Sequence, residues 1–289
     1  MRTKFERRFQ ISYFRFQMSA RWCFAGLAFL LASGLALASD EVRVISLAPH
    51  LTELVYAAGA GDRLVGVVDW SDYPPEAAEL PSIGDAFRFD LERIIGLAPD
   101  LALAWRGGTP TAVVERMASL GIETMWIETN SLEQIAVALE NIGQALRSTE
   151  QAETAAADFR IRLETFDVSQ KETLSVFYQA SMRPLYTLGG RHVINEVLAL
   201  CGMRNIFADL DIEATVVDQE AVVAAAPDLI IAGADINTDG LDPLGLWRST
   251  GPVLEGQTRL HQVDPGLLIR PTPRIVEGIE QLCQLSSTD

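Results

Sequence analysis

The sequence predicts an α/β protein of two Rossmann-like lobes, each built on a parallel sheet, joined by one long backbone helix. Three observations predict it: a helix–turn–strand unit that occurs twice, a regular alternation of strand and helix patterns around each copy, and one Ala-rich helical stretch between the halves. The unit reads DLERIIGLAPDLALAW from Asp90 and DQEAVVAAAPDLIIAG from Asp218, in register at an offset of 128. A looser echo pairs ELVYAAGAGDRLVGV from Glu53 with EVLALCGMRNIFAD from Glu196, each an apolar helix face followed by a glycine, Gly59 or Gly202. At 289 residues with 48% hydrophobic and 21% charged content, the chain is long enough for two such lobes.

Taken in order, RVISLA (Arg43–Ala48) reads as a first strand, HLTELVYAAGA as a helix and RLVGVVD as a strand. The following WSDYPPEAAEL is too rich in Pro, Asp and Ser for regular structure. In the repeated unit, Asp90 or Asp218 can accept a hydrogen bond from the first turn of a helix, and Glu92 or Glu220 sits where the helix dipole favours an anion. Pro99 or Pro227 then stops the helix, and the apolar run behind it reads as a short buried parallel strand. TPTAVVERMASLG is a helix, ETMWIE a strand and SLEQIAVALENIGQALR a helix. Thr149 is expected to cap TEQAETAAADFRIRLETF as one continuous helix of about 18 residues, about 27 Å long. From LSVFYQA (Leu174–Ala180) the alternation restarts, passes the second copy and ends in a helix around RIVEGIEQLCQL. The expected division is 39–148 for the N-terminal lobe, 149–170 for the linking helix and 171–289 for the C-terminal lobe. A single helix is a stiff connection, so large hinge closure is not expected.

Residues 1–38 are expected to be a signal peptide. Arg2, Lys4, Arg7, Arg8, Arg15 and Arg21 lead into WCFAGLAFLLASGLALAS, which ends in the small-x-small pattern Ala36-Leu37-Ala38. An uncleaved anchor is the alternative, and a start at Met18 would give a signal of more ordinary length. No cysteine lies at the cleavage point, so a lipoprotein is not expected. Removing these residues leaves 17 Lys and Arg against 38 Asp and Glu, a formal charge of −21, which makes nucleic acid and anionic lipid poor partners. Cys201 and Cys283 are then the only pair in a chain sent to an oxidising compartment, so a disulfide is expected, with two buried free thiols as the alternative. Such a bridge closes a long loop and would stabilise the fold by about 4 kcal/mol on the chain-entropy account.

SDYPPEA from Ser71, AWRGG from Ala104, GIETMWIE from Gly121, GGRHVINEVLALCGMRNIF from Gly189 and the spacing of Cys201 to Cys283 resemble the cobalamin-binding branch of the periplasmic solute receptors that serve ABC importers. Those receptors form class III of the periplasmic binding proteins, with a helical backbone between lobes, and the class also includes haem and siderophore receptors. The resemblance runs over nearly the whole chain after residue 38. It implies a monomeric periplasmic receptor that holds a corrinoid between its lobes as transported ligand, carries no prosthetic group, and docks on a two-fold symmetric permease. On the N-terminal side it implies Trp70 as a cleft aromatic, with Tyr73, Phe87 and Trp105 in adjacent segments. On the other side it implies Tyr186 as an aromatic and Arg270 as a polar contact. Glu92 and Glu220 match the acidic handles that pair with permease arginines, which gives the repeat a reason. Three departures are plain: Ala86 and Ala214 stand where the best-known cobalamin receptor has tryptophans, and Gly266 where it has an aspartate. Haem or a metal–siderophore is therefore the alternative ligand.

Enzyme and metal readings find little support. His50, His192 and His261 are the only histidines, and none has a second His or Cys at ligand spacing. His192 is a candidate cleft residue or a satisfied loop histidine. G-x-S-x-G and H-E-x-x-H are absent, and GAGDRL lacks the final glycine of a dinucleotide loop. An exported hydrolase is the alternative of a different class.

Overall fold

The computed structural model describes residues 41–85, 88–166, 174–233 and 242–286. The expected signal peptide, Ala86, Phe87 and the end of the predicted linking helix lie outside the described residues. Among the described residues no helix is long and apolar enough to cross a membrane.

The first sheet is wholly parallel, in the order β2-β1-β3-β4, from β1 (Val44–Ser46), β2 (Leu64–Val67), β3 (Leu101–Trp105) and β4 (Glu123–Ile127). Helices α1 (Pro49–Ala57), α2 (Leu91–Leu97) and α3 (Thr111–Ser119) connect them, and α4 (Leu132–Leu146) follows. The loop after β2 contains one short 3-10 turn, Pro75–Glu79, which the composition of that loop did not predict.

The repeated unit folds alike in both places. α2 ends at Ala98 and α7 (Gln219–Ala225) ends at Ala226, both left-handed at φ 44 and ψ 59, each followed by its proline and strand. Asp90 accepts from the Arg93 N–H at 3.0 Å as predicted, whereas Asp218 makes no side-chain cap bond. A second carboxylate in the motif has a structural duty. Asp100 accepts from the Arg43 N–H and Asp228 from the Ser175 N–H, at 2.8 and 2.7 Å, so each ties its strand to the start of a neighbouring one.

The second sheet corrects the expectation of parallel strands. It contains β5 (Leu174–Met182), β6 (Leu185–Leu188), β7 (Met203–Asn205), β8 (Ala214–Val216), β9 (Leu229–Gly233) and β10 (Arg259–Val263), with the main order β10-β9-β5-β6-β8 and β7 paired to β5. β10, β9, β5 and β7 are parallel, but β6 turns back on β5 after the two residues Arg183-Pro184, and β8 is antiparallel to β6. A two-residue connection allows only the antiparallel return. Helices α6 (Ile194–Leu200), α8 (Gly251–Leu254), α9 (Pro265–Leu268) and α10 (Ile275–Ser286) complete this half.

The linking helix, α5, spans Thr149–Leu163, 15 residues or about 22 Å. It is shorter than expected, and its N-cap is Ser148, not Thr149. Its buried residues are Ala152, Ala156 and Phe159, one narrow stripe at helical spacing. Arg160 reaches Glu133 and Glu140 on α4, and Arg162 lies 3.8 Å from Glu280 on α10. Gly143 lets α4 and α5 approach closely: a Cβ there would lie 2.1 Å from the Ala152 Cβ.

Period-2 alternation sorts the strand residues into separate cores. Val44, Leu101, Leu103, Val176, Tyr178, Leu229 and Ile231 point into one core that also takes α1, α4, α5, α6 and α10, and thus spans both sheets. Ile45, Ala102 and Ala104 face a second core under α2 and α3, and Phe177, Ile230 and Ala232 a third around the fully buried Trp247. Trp247 Nε1 donates to Gln179 Oε1 at 2.7 Å, so its polar tip is satisfied.

The Cys201–Cys283 disulfide forms as expected, joining the end of α6 to α10. Thiol labelling of the denatured, unreduced chain after residue 38 should find no free sulfhydryl, and reduction should cost about 2–4 kcal/mol of stability. Replacing Gly143 with Ala should destabilise by about 1–3 kcal/mol in chemical denaturation, although Ala is the better helix former. A stabilised Gly143→Ala variant would contradict the close α4–α5 packing.

Candidate functional site

In open α/β sheets ligands bind beyond the carboxyl ends of parallel strands. Here those ends carry His50 after β1, Trp70 after β2 and Trp105 at the end of β3, while Arg270 follows β10 and α9. Trp70 is 55% exposed and left-handed at φ 68, a rare conformation for a residue with a side chain. Thr52 Oγ1 on α1 donates to Ser71 Oγ at 3.1 Å, which ties the next residue down. Tyr73 is 42% exposed.

Two arginines from the C-terminal half reach this loop. Arg270 Nη1 donates to Glu53 Oε1 at 3.0 Å and to Asp72, and its Nη2 donates to the Trp70 carbonyl at 3.0 Å. Arg274 Nε and Nη2 both donate to Glu53, at 3.0 Å each, and its guanidinium lies 3.6 Å from the centre of the Tyr73 ring. Burial pulls the Arg270 pKa down, but the bonds and charges of Asp72 and Glu53 outweigh it and hold the group above its ordinary value. Two guanidinium charges therefore meet two carboxylates, leaving no net charge in the cluster.

Trp105 is half-buried, with the AWRGG loop folded over its ring: Cβ atoms at Gly107 and Gly108 would sit 2.6 and 2.4 Å from ring carbons. His50 meets that ring edge-on, with centroids 5.0 Å apart. Trp105 Nε1 and His50 Nε2 are buried with no partner among the described residues. His192 is buried too, its Nδ1 accepting from the Ile194 N–H at 3.0 Å, so it is a satisfied loop histidine. Tyr186 on β6 is 37% exposed and pairs in register with Val216 on β8, 50% exposed, on the face that also carries Ala214. Phe87 lies outside the described residues. Among those residues no cluster of His, Cys, Asp or Glu could hold a metal ion.

A family model described as periplasmic binding protein matches residues 44–243. This chain belongs to the periplasmic binding protein family. Among relatives of this periplasmic binding protein, a vitamin B12-binding protein of Vibrio cholerae is 35% identical over 259 residues, covering 88% of this chain and 92% of its own. One of Yersinia pestis is 36% identical over 261 residues, covering 89% and 91%. The crystal structure of the periplasmic vitamin B12 binding protein BtuF of Vibrio cholerae superposes with a TM-score of 0.76 at 33% identity, covering 86% of this chain and 99% of that one. The periplasmic haem-binding protein RhuT from Roseiflexus sp. RS-1, in apo form, shares the fold with a TM-score of 0.71 at 22% identity, over 86% and 98%.

Glu92 and Glu220 stand in the first turns of α2 and α7, exposed, at equivalent places in the repeat. Sequence reasoning missed Glu53 and Arg274. Both lie in segments read only as helix, and the 221 positions between them hide their pairing.

His50 and His192 carry a pH dependence. Burial first, then the charges of Arg270 and His192, lowers His50 from 6.5 to about 3, and burial lowers His192 to about 4. Below pH 6.5 the unfolded chain therefore takes up protons that the folded chain refuses. The stability of the neutral forms is complete above about pH 6.5 and is lost as pH falls through about 4. The thermal midpoint should drop between about pH 7 and about pH 5, and drop less in a His50→Gln, His192→Gln double variant. Parallel curves for the two proteins would show that these histidines do not carry the dependence.

Proposed function

We propose that this chain is a periplasmic receptor that captures cobalamin, or a related corrinoid, between its lobes and delivers it to an ABC importer. The observation that carries the reading is the 35–36% identity to vitamin B12-binding proteins over nearly nine-tenths of the chain. Exposed aromatics at the strand ends agree with it, since a corrinoid is broad, flat and largely apolar with a fringe of amides. Trp70, Tyr73, Phe87, Trp105 and Tyr186 supply the aromatic surfaces in this reading, and Arg270 a polar contact. Because Glu53 and Asp72 already neutralise Arg270 and Arg274, the seam offers no free cation to the carboxylates of a haem. That favours a corrinoid over haem or a metal–siderophore. Val216, beside Tyr186, gives the face around Ala214 some of the apolar surface that a tryptophan would provide.

The rest of the reading follows the family. Residues 1–38 act as a cleaved signal, the lobes run 39–148 and 171–289 on either side of the 149–170 link, and the receptor works as a monomer without a reaction of its own. Glu92 and Glu220 are its two handles for the arginines of a two-fold permease.

Calorimetric titration should give one cyanocobalamin per protein and no comparable heat with haem or a hydroxamate siderophore. Trp70→Ala should weaken binding by about 1–3 kcal/mol. Unchanged affinity in both Trp70→Ala and Tyr186→Ala would place the ligand elsewhere. Glu92→Ala and Glu220→Ala should leave affinity in solution intact while slowing uptake, the pair more than either alone. Uptake at the normal rate in the double variant would deny the repeat any docking role.

A further inference from the structure

Glu53 is an N-terminal-lobe residue, 4% exposed, whose carboxylate accepts three hydrogen bonds from two arginines of the other half. Those arginines do more than balance it. Arg270 continues to Asp72 and to the Trp70 carbonyl, and Arg274 lies over the Tyr73 ring, 3.6 Å from its centre. With Ser71 tied to Thr52, every residue from Trp70 to Tyr73 has a contact that holds it. Trp70 has the least buried ring of the aromatics at this loop, on a backbone that an L-residue rarely adopts unaided. A strained turn fixed at all its residues, with its largest apolar ring left in solvent, is built for presentation.

We propose that Glu53 is a positioning residue that, through Arg270 and Arg274, sets the 70–73 loop so that the Trp70 ring meets the ligand. This rests on the corrinoid-receptor reading for the identity of that ligand. The molecule contains its own control. Glu196, the partner of Glu53 in the looser echo, also binds across the halves, accepting from the Leu132 N–H at 2.7 Å, and the bond involves no residue of the aromatic loop. A loss of affinity caused by general loosening would appear in both variants, whereas a loss caused by a misplaced Trp70 belongs to Glu53 alone.

The experiment is a double-mutant cycle on cyanocobalamin binding. Glu53→Gln should weaken binding about 10-fold in the wild-type background, yet less than about 2-fold in a Trp70→Ala background, while Glu196→Ala, which removes the acceptor of the Leu132 N–H, stays within about 2-fold in both. Additive losses from Glu53→Gln and Trp70→Ala overturn the proposal. A second readout needs no ligand: the tryptophan emission that Trp70→Phe removes should become more accessible to acrylamide in Glu53→Gln and not in Glu196→Ala. Unchanged quenching overturns the positioning role whether or not corrinoid binds. Altered quenching in a protein that binds no cyanocobalamin overturns the corrinoid reading and leaves the clamp standing. Should Glu53→Gln fail to fold, Asp72→Ala keeps Glu53 on both arginines and removes only the next link. It should give a smaller loss of affinity with the same non-additivity, and additivity there overturns the proposal equally.

Discussion

The rest of the structure depends on one apolar core that neither half owns. Alternate residues of β1 and β3 enter it from one sheet and alternate residues of β5 and β9 from the other, with α1, α4, α5, α6 and α10 filling the space between. Protein interiors are packed at crystal-like density, so rotation of one half against the other would have to open that packing. This explains how α5, with only three buried residues, suffices as the covalent link. The helix leans on a core that is continuous beneath it, and the disulfide fastens α6 to α10 within the same cluster. A receptor organised in this way captures its ligand chiefly with a surface already in place, which lowers the ordering cost of binding.

At its margin the same seam becomes polar. The echo between Glu53 and Glu196 places an acid on α1 and on α6, and each acid reaches into the opposite half. Buried carboxylates are expensive unless fully paired. Glu53, buried, meets that condition with two guanidiniums, whereas Glu196 is exposed and accepts from a backbone N–H in the first turn of α4, where the helix dipole favours an anion. The two contacts share a position in a repeat but not a chemistry. One side of the seam is an arginine cluster beneath an aromatic loop, and the other is a helix end.

The parts of the fold set by local rules are legible in the sequence. Pro99 and Pro227 stop their helices where the prolines require, and the apolar runs behind them are the strands expected. The duty of Asp100 and Asp228 is not legible there, because a carboxylate that reaches a neighbouring strand leaves no periodicity in its own segment. The reversal of β6 does leave a signal, Arg183-Pro184 between two apolar runs, but continuous alternation in the other lobe favours reading the second sheet as parallel. At the site, Trp70, Trp105 and Arg270 can be named from motif resemblance, while the partners that hold Arg270 are 198 and 217 positions away. Contacts at that separation belong to the folded topology, which one sequence does not display.

The continuity of the core from Val44 to Leu282 also sets an order of assembly. Among the described residues, the core under α2 and α3 draws only on residues up to Trp126, so a chain that emerges N-terminus first has what that cluster needs when less than half its length is available. The shared core has no such early completion, because Ile275, Ile279 and Leu282 come from the last helix. Contacts of such long sequence separation form late and slowly. Until α10 arrives, the inner faces of both sheets lack part of their cover, and in that interval the growing chain is most open to aggregation.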